Sequence, residues 1–212
     1  LKLKLAVLAV LVVLASGCLK SDNNGSSDST TDITLLKGDF EVVSGFENTH
    51  TRGEVKAMEF FDFYCPHCYQ LHIQESRLER KYGDALKMTS MPFPLRPASF
   101  PPLEAYVIAR DMGKGEEMKD AIFRAKWEEG LDIGNKEVLV ELAGRVGLDT
   151  DEFKSRLEKG ARREVQNSRT LGGRYGISAT PTVILDNNIR VTGADVDNLE
   201  TVITSILAQD VE

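Results

Sequence analysis

The 212-residue chain is poor in cysteine, with three in all, and what is missing around those three narrows their use. A disulfide-stapled miniprotein needs a denser framework. A structural zinc centre needs four ligands, often from a second CxxC, and there is none. No apolar run reaches the roughly twenty residues of a membrane-spanning helix. Basic excess is also absent: 26 Lys and Arg stand against 33 Asp and Glu, a formal net charge of −7. With no basic stretch interleaved with aromatics, a phosphate backbone is excluded as partner, and nucleic acid with it. No internal repeat is visible. The remaining composition, 42% hydrophobic and 28% charged, is that of a globular domain with a full core plus an extension.

The extension is N-terminal. Lys2 and Lys4 precede an apolar run over residues 5–14, closed by Ala15-Ser16-Gly17 and then Cys18. A short positive segment, about ten apolar residues and a small-residue box describe an export signal over residues 1–17. Its end resembles a bacterial lipoprotein signal, although Ala15 stands where leucine is usual. That resemblance implies lipid attachment at Cys18 and a membrane anchor; ordinary cleavage near Gly17 would leave Cys18 a free thiol. Both place the chain outside the cytoplasm, in the periplasm or at the cell surface. Removing Lys2 and Lys4 leaves 24 basic residues against 33 acidic, or −9. Residues 18–38, rich in Ser, Asp, Asn, Thr and Gly as far as about residue 32, are expected as a flexible tether, since they bury too little to offset ordering entropy.

Cys65-Pro66-His67-Cys68 proposes the chemistry. Residues 55–63 read as a strand buried on both faces, and Pro66 suits the first turn of a helix running to about Tyr82. A CxxC between strand and helix start reads as a redox dithiol. Residues 86–91 alternate as the next strand and end in a proline-rich loop, 92–102, that neither helix nor central strand should tolerate. From Leu103 to about Tyr175 the pattern is helical, with candidate caps at Asp149-Thr150-Asp151. Residues 182–185 and 189–191 form a hairpin, and a helix over 197–208 closes the chain.

The order βαβ, helical insert, ββα is that of a thioredoxin fold. Within it, Glu59-Phe60-Phe61-Asp62-Phe63-Tyr64-Cys65-Pro66-His67-Cys68-Tyr69-Gln70 and Ile177-Ser178-Ala179-Thr180-Pro181-Thr182-Val183 resemble the two signatures of the DsbA-like thiol:disulfide oxidoreductases. The resemblance covers roughly residues 39–207. It implies an α/β architecture, with a thioredoxin-fold domain from 39–92 and 176–212 and a helical domain, 93–175, inserted between its halves. It implies a cis peptide before Pro181, which faces the dithiol, with Thr180 offering backbone hydrogen bonds to an extended substrate. Glu59 matches a buried acid that moves protons to and from the cysteines, its pKa raised by burial; the bland alternative is an edge-facing carboxylate without a role. The family's partner lysine has no obvious match, Ser90 falling near that position. Three departures stand out. Tyr64 replaces the tryptophan of thioredoxin itself. Thr180 stands where the best-known oxidases carry valine and where isomerase and reductase relatives more often carry threonine. Arg96-Pro97 occupies the place of a frequent His-Pro.

The residues themselves assign roles within the motif. Cys65, at a helix N-terminus where free N–H groups and the macrodipole favour negative charge, is the attacking and exposed sulfur. Cys68, one turn further in, resolves the mixed disulfide. His67 stabilises the Cys65 thiolate through its imidazole or its backbone N–H, which favours the reduced form and so makes the disulfide oxidising. The expected protein is an exported oxidase that introduces disulfides into unfolded or reduced exported proteins. It needs no cofactor or metal beyond the Cys65–Cys68 disulfide, and a quinone-linked membrane partner reoxidises it. The alternatives are a reductase or isomerase kept reduced by a different membrane donor, and a non-catalytic peptide-binding or chaperone module.

Overall fold

The computed structural model describes residues 31–193 and 195–211; the expected export signal, Cys18 and most of the expected tether lie outside them. Residues 31–38, expected as the end of that tether, are instead bound to the domain. Asp32 caps a 3-10 turn at Ile33–Leu35, its own N–H donates to Gln209 Oε1 at 2.8 Å, and the Lys37 N–H donates to Ser205 Oγ at 3.1 Å. The partners lie at the far end of the chain, so local composition carries no trace of them.

In chain order the elements are β1 (Glu41–Val42), β2 (Val55–Phe61), α1 (Pro66–Tyr82), β3 (Leu86–Pro92), α2 (Phe100–Asp111), α3 (Gly115–Trp127), α4 (Lys136–Arg145), α5 (Thr150–Lys159), α6 (Arg162–Arg174), β4 (Thr182–Leu185), β5 (Ile189–Thr192) and α7 (Val196–Leu207). The strands form one mixed sheet in the order β1-β5-β4-β2-β3. β2 is internal, parallel to β3 and antiparallel to β4. Helices cover both faces, which is why its apolar residues barely alternate. On the face carrying Val55 and Ala57 lie α1, through Leu71 and Leu78, and α7, through Val202, Ile203 and Ile206. On the other, α6 approaches so closely that a Cβ on Gly172 would sit 2.6 Å from the Phe93 ring.

The inserted helices α2–α6 build their core onto the end of β2. Phe61 meets the Tyr106 ring at 5.3 Å and Phe63 meets Phe123 at 4.8 Å, both edge-on, an arrangement that suits the aromatic quadrupole. The same continuous core includes Cys65 and Cys68. The dithiol therefore sits where sheet and insert meet.

The proline-rich stretch is used at both ends, contrary to the expectation that it excludes regular structure. Pro92 closes β3, an edge strand where a missing N–H removes no ladder bond. Pro101 and Pro102 lie in the first turn of α2, whose N–H groups have no intrahelical partner anyway, so that helix starts at Phe100 rather than Leu103. In the β4–β5 hairpin, Asp186 and Asn187 both take positive φ, 42° and 73°, the pair of left-handed residues that a tight antiparallel turn requires. The turn has a further use. Buried His50 holds Asp186 Oδ2 at 2.8 Å through Nδ1 and Asp210 Oδ1 at 3.0 Å through Nε2, joining the loop before β2 to the turn and to the chain's C-terminal segment.

Candidate active site

Cys65 is the N-cap of α1, with Pro66 at its first helical position. The strand-to-helix link is set by Asp62, which is 1% exposed. Its carbonyl accepts the Cys65 N–H at 3.0 Å. Its carboxylate accepts the Tyr64 N–H and the Leu95 N–H, each at 2.9 Å, and its own N–H points at Cys68 Sγ, 3.5 Å away. One buried residue, through its backbone and its carboxylate, thus ties together the end of β2, the dithiol and the loop after β3. In the sequence Asp62 stands only as a member of the motif. Its signal was an acid at the end of a buried strand, where a carboxylate must find donors.

Both cysteines are free thiols, but their surroundings differ. Cys65 retains 8% exposure and Cys68 none. Hydrogen bonding from Cys68 lowers the Cys65 pKa to about 5; burial opposes this, while the N–H groups of Cys68 and His67 assist it. Burial pushes the Cys68 thiol far up, and the adjacent Cys65 charge adds to the effect. At neutral pH the outer sulfur is a thiolate and the inner one a thiol. The His67 imidazole is exposed and turned to Gln70 Oε1 at 3.1 Å, so of its two possible donors the backbone N–H is the one that lowers the Cys65 pKa.

Across from the dithiol, the Thr180–Pro181 peptide is cis. The Thr180 carbonyl lies 3.1 Å from Cys65 Sγ and accepts from it when that thiol is protonated, and Thr180 Oγ1 is buried. The segment is braced by Thr182 Oγ1 on the Ala179 carbonyl and by the Gly193 N–H on the Pro181 carbonyl, both at 2.9 Å.

Glu59 is fully buried on β2, in register with Ser90 on β3 and Val183 on β4. A lysine partner is present, but not on β3. Lys119, from α3 of the insert, places Nζ 2.7 Å from Glu59 Oε2, 2.7 Å from Glu75 Oε1 and 3.0 Å from Ser90 Oγ. Burial raises the Glu59 pKa to about 7 despite Lys119. Burial also acts upward on Glu75, but Lys119 and His72 outweigh it and hold that carboxyl at about 2. His72 bridges Glu75 at 2.9 Å and Asp120 at 3.2 Å. The sequence did carry one sign of Lys119: it falls among Met118, Ile122 and Phe123 on the buried stripe of α3, and a lysine there needs anionic partners.

A cis-proline wall facing a dithiol with one thiolate and one buried thiol, on this sheet, defines a thiol:disulfide oxidoreductase of the thioredoxin fold. Residues 57–204 match the DSBA-like thioredoxin domain, and the chain belongs to that family. It is 24% identical over 154 residues to the thiol:disulfide interchange protein DsbA of Burkholderia cepacia, covering 72% of this chain and 73% of that one. With YwbO of Bacillus subtilis it shares 34% identity over 104 residues, 48% of this chain and 52% of the relative. Among solved structures, the oxidoreductase DsbA of Xylella fastidiosa superposes with a TM-score of 0.69 at 20% identity, over 81% of this chain and 95% of its own. Pseudomonas aeruginosa DsbA does so with 0.67 at 17%, over 82% and 95%. No helix among the described residues is long and apolar enough to cross a membrane.

Proposed function

We propose that this oxidoreductase works as an exported oxidase, forming disulfides in reduced or unfolded exported proteins through Cys65-Pro66-His67-Cys68. The observation that carries this is the asymmetry of the two sulfurs, with Cys65 lowered to about 5 and Cys68 raised. A substrate thiolate attacks Cys65 Sγ, the Cys65–Cys68 bond breaks and Cys68 leaves with the electron pair. A second substrate thiolate then displaces Cys65 from the mixed disulfide. The substrate loses two electrons and two protons; the dithiol gains the electrons, held as a Cys65 thiolate and a Cys68 thiol. Stabilising that thiolate drives the reaction forward.

Pro66 starts the helix whose N–H groups serve the thiolate, and His67 contributes one of them. Glu59, its pKa near neutrality, supplies the proton that buried Cys68 takes up on leaving. Thr180 and Pro181 offer the substrate backbone an edge beside Cys65. One dithiol cannot reset itself, so a quinone-linked membrane protein removes the electrons. Export follows from the signal over residues 1–17, with lipid anchoring at Cys18.

The testing measurement is the potential of the Cys65–Cys68 pair against glutathione. A value above about −200 mV supports an oxidase, and one near the roughly −270 mV of thioredoxin refutes it. Thr180 favours the second reading, a reductase or isomerase, and the same measurement decides between the two. Fatty-acid labelling lost in Cys18→Ser tests the anchor.

A further inference from the structure

We propose that the dithiol site selects substrate segments bearing an acidic side chain next to the reacting cysteine, through Arg96 and Lys126. The inference rests on the oxidoreductase reading above and adds the substrate class to it. Tyr64, which precedes Cys65, receives two cations from different elements on its ring. The Arg96 guanidinium carbon lies 4.6 Å from the ring centroid and Lys126 Nζ 5.3 Å. Lys126 is also 5.9 Å from the Trp127 ring, whose Nε1–H is fixed on the Phe63 carbonyl at 3.0 Å.

Arg96 is exposed and Lys126 partly so, and neither is ion-paired to a carboxylate among the described residues. By contrast Arg124, Arg145 and Arg156 on the inserted helices each hold a glutamate within 3.2 Å. The Arg96 loop is not free to drift, because Asp62 binds the Leu95 N–H and the Tyr64 N–H with the same carboxylate.

The nearby anions are already engaged: Glu128 accepts from the Tyr69 hydroxyl at 2.9 Å and from Arg124 at 3.2 Å. The Asp62 oxygens are taken by those two backbone donors. Exposed Asp132 acts on the Tyr64 phenol, but its Oδ1 accepts the Gly134 N–H at 3.0 Å. Two cations without a carboxylate partner among the described residues therefore flank the ring of the residue that precedes Cys65, in a chain whose net charge is −7. The aromatic rings hold both cations in place, so less side-chain freedom is lost when they meet a carboxylate. The general surface repels an acidic segment, while the rim of Cys65 accepts it, which orients as well as selects.

The test uses the oxidised protein and three two-cysteine peptides that differ only in the residue before the first cysteine: Glu, Gln or Lys. Rates of peptide oxidation are measured for the wild type and for R96Q/K126Q. The Glu-to-Lys rate ratio of the wild type, divided by that of the variant, cancels the peptides' intrinsic thiol reactivity. We expect a quotient of roughly three to ten at low ionic strength, falling towards one in about 0.5 M salt. A quotient of one, or one that salt leaves unchanged, overturns the proposal while leaving the oxidoreductase reading intact. Failure of the wild type to oxidise any peptide, the Gln peptide included, overturns both.

Discussion

Replacing His67 by proline should make Cys65 less acidic by removing a backbone N–H rather than an imidazole. Cys65 titrates at about 5 instead of 9.0, with the His67 N–H among the groups that lower it, while the imidazole is exposed on Gln70. That lowering of about four units corresponds to about 5 kcal/mol favouring the thiolate. One hydrogen bond to a charged acceptor accounts for about 1.5–3 kcal/mol, or roughly one to two units. His67 lies in the first turn of α1, where proline breaks no helical bond. In His67→Pro, then, the Cys65 pKa should rise from about 5 to roughly 6 or 7. The disulfide should become more reducing by roughly 30–60 mV. His67→Ala keeps the N–H and should shift either quantity by much less. Thiolate ultraviolet absorbance against pH reads the first, and equilibration with glutathione, followed by the fluorescence of Trp127, the sole tryptophan, reads the second. An unchanged pKa in His67→Pro, or an equal shift in both variants, would refute the assignment to the backbone.

Three further outcomes follow from the buried groups. Lys119→Met leaves Glu59 and Glu75 without their cation and should cost about 3–5 kcal/mol in urea unfolding; a loss under about 1 kcal/mol would contradict the network. Glu59, raised from 4.5 to about 7, contributes stability that is full below 4.5 and lost as pH rises to 7, about 3 kcal/mol. Oxidised protein should therefore lose stability between pH 5 and 7 relative to oxidised Glu59→Gln. In reduced protein, Cys65 is lowered from 9.0 to about 5 and contributes stability that grows over the same window, offsetting the loss. Parallel profiles for oxidised wild type and Glu59→Gln would exclude this role of burial. Thr180→Val keeps the shape but removes the side-chain hydroxyl, which lowers the Cys65 pKa; the thiol should titrate up to about one unit higher, and an unchanged titration would show that the hydroxyl does not reach the sulfur.

Some of this site was legible because it is local. The apolar run of β2, Pro66 at a helix start and the turn residues Asp186 and Asn187 each impose a conformation on their immediate neighbours. Long-range partners were not legible. Lys119 lies 60 residues from Glu59 along the chain; Ser90 is Glu59's neighbour on the adjoining strand, whereas the cation arrives from α3 of the insert. The burial of His50 is likewise invisible locally, since its partners Asp186 and Asp210 stand 136 and 160 residues away. The tether's last residues were misread for the same reason, being held by side chains of α7 and the segment that follows it.

The sequence by itself determined that a dithiol opens a helix after a buried strand and that a Thr-Pro segment precedes the hairpin, because both are dictated by neighbouring residues. Only the tertiary structure decided which sulfur ionises, which donor serves it and which lysine balances Glu59. Those depend on desolvation and on atoms within about 3 Å of one another, and folding alone brings such atoms together.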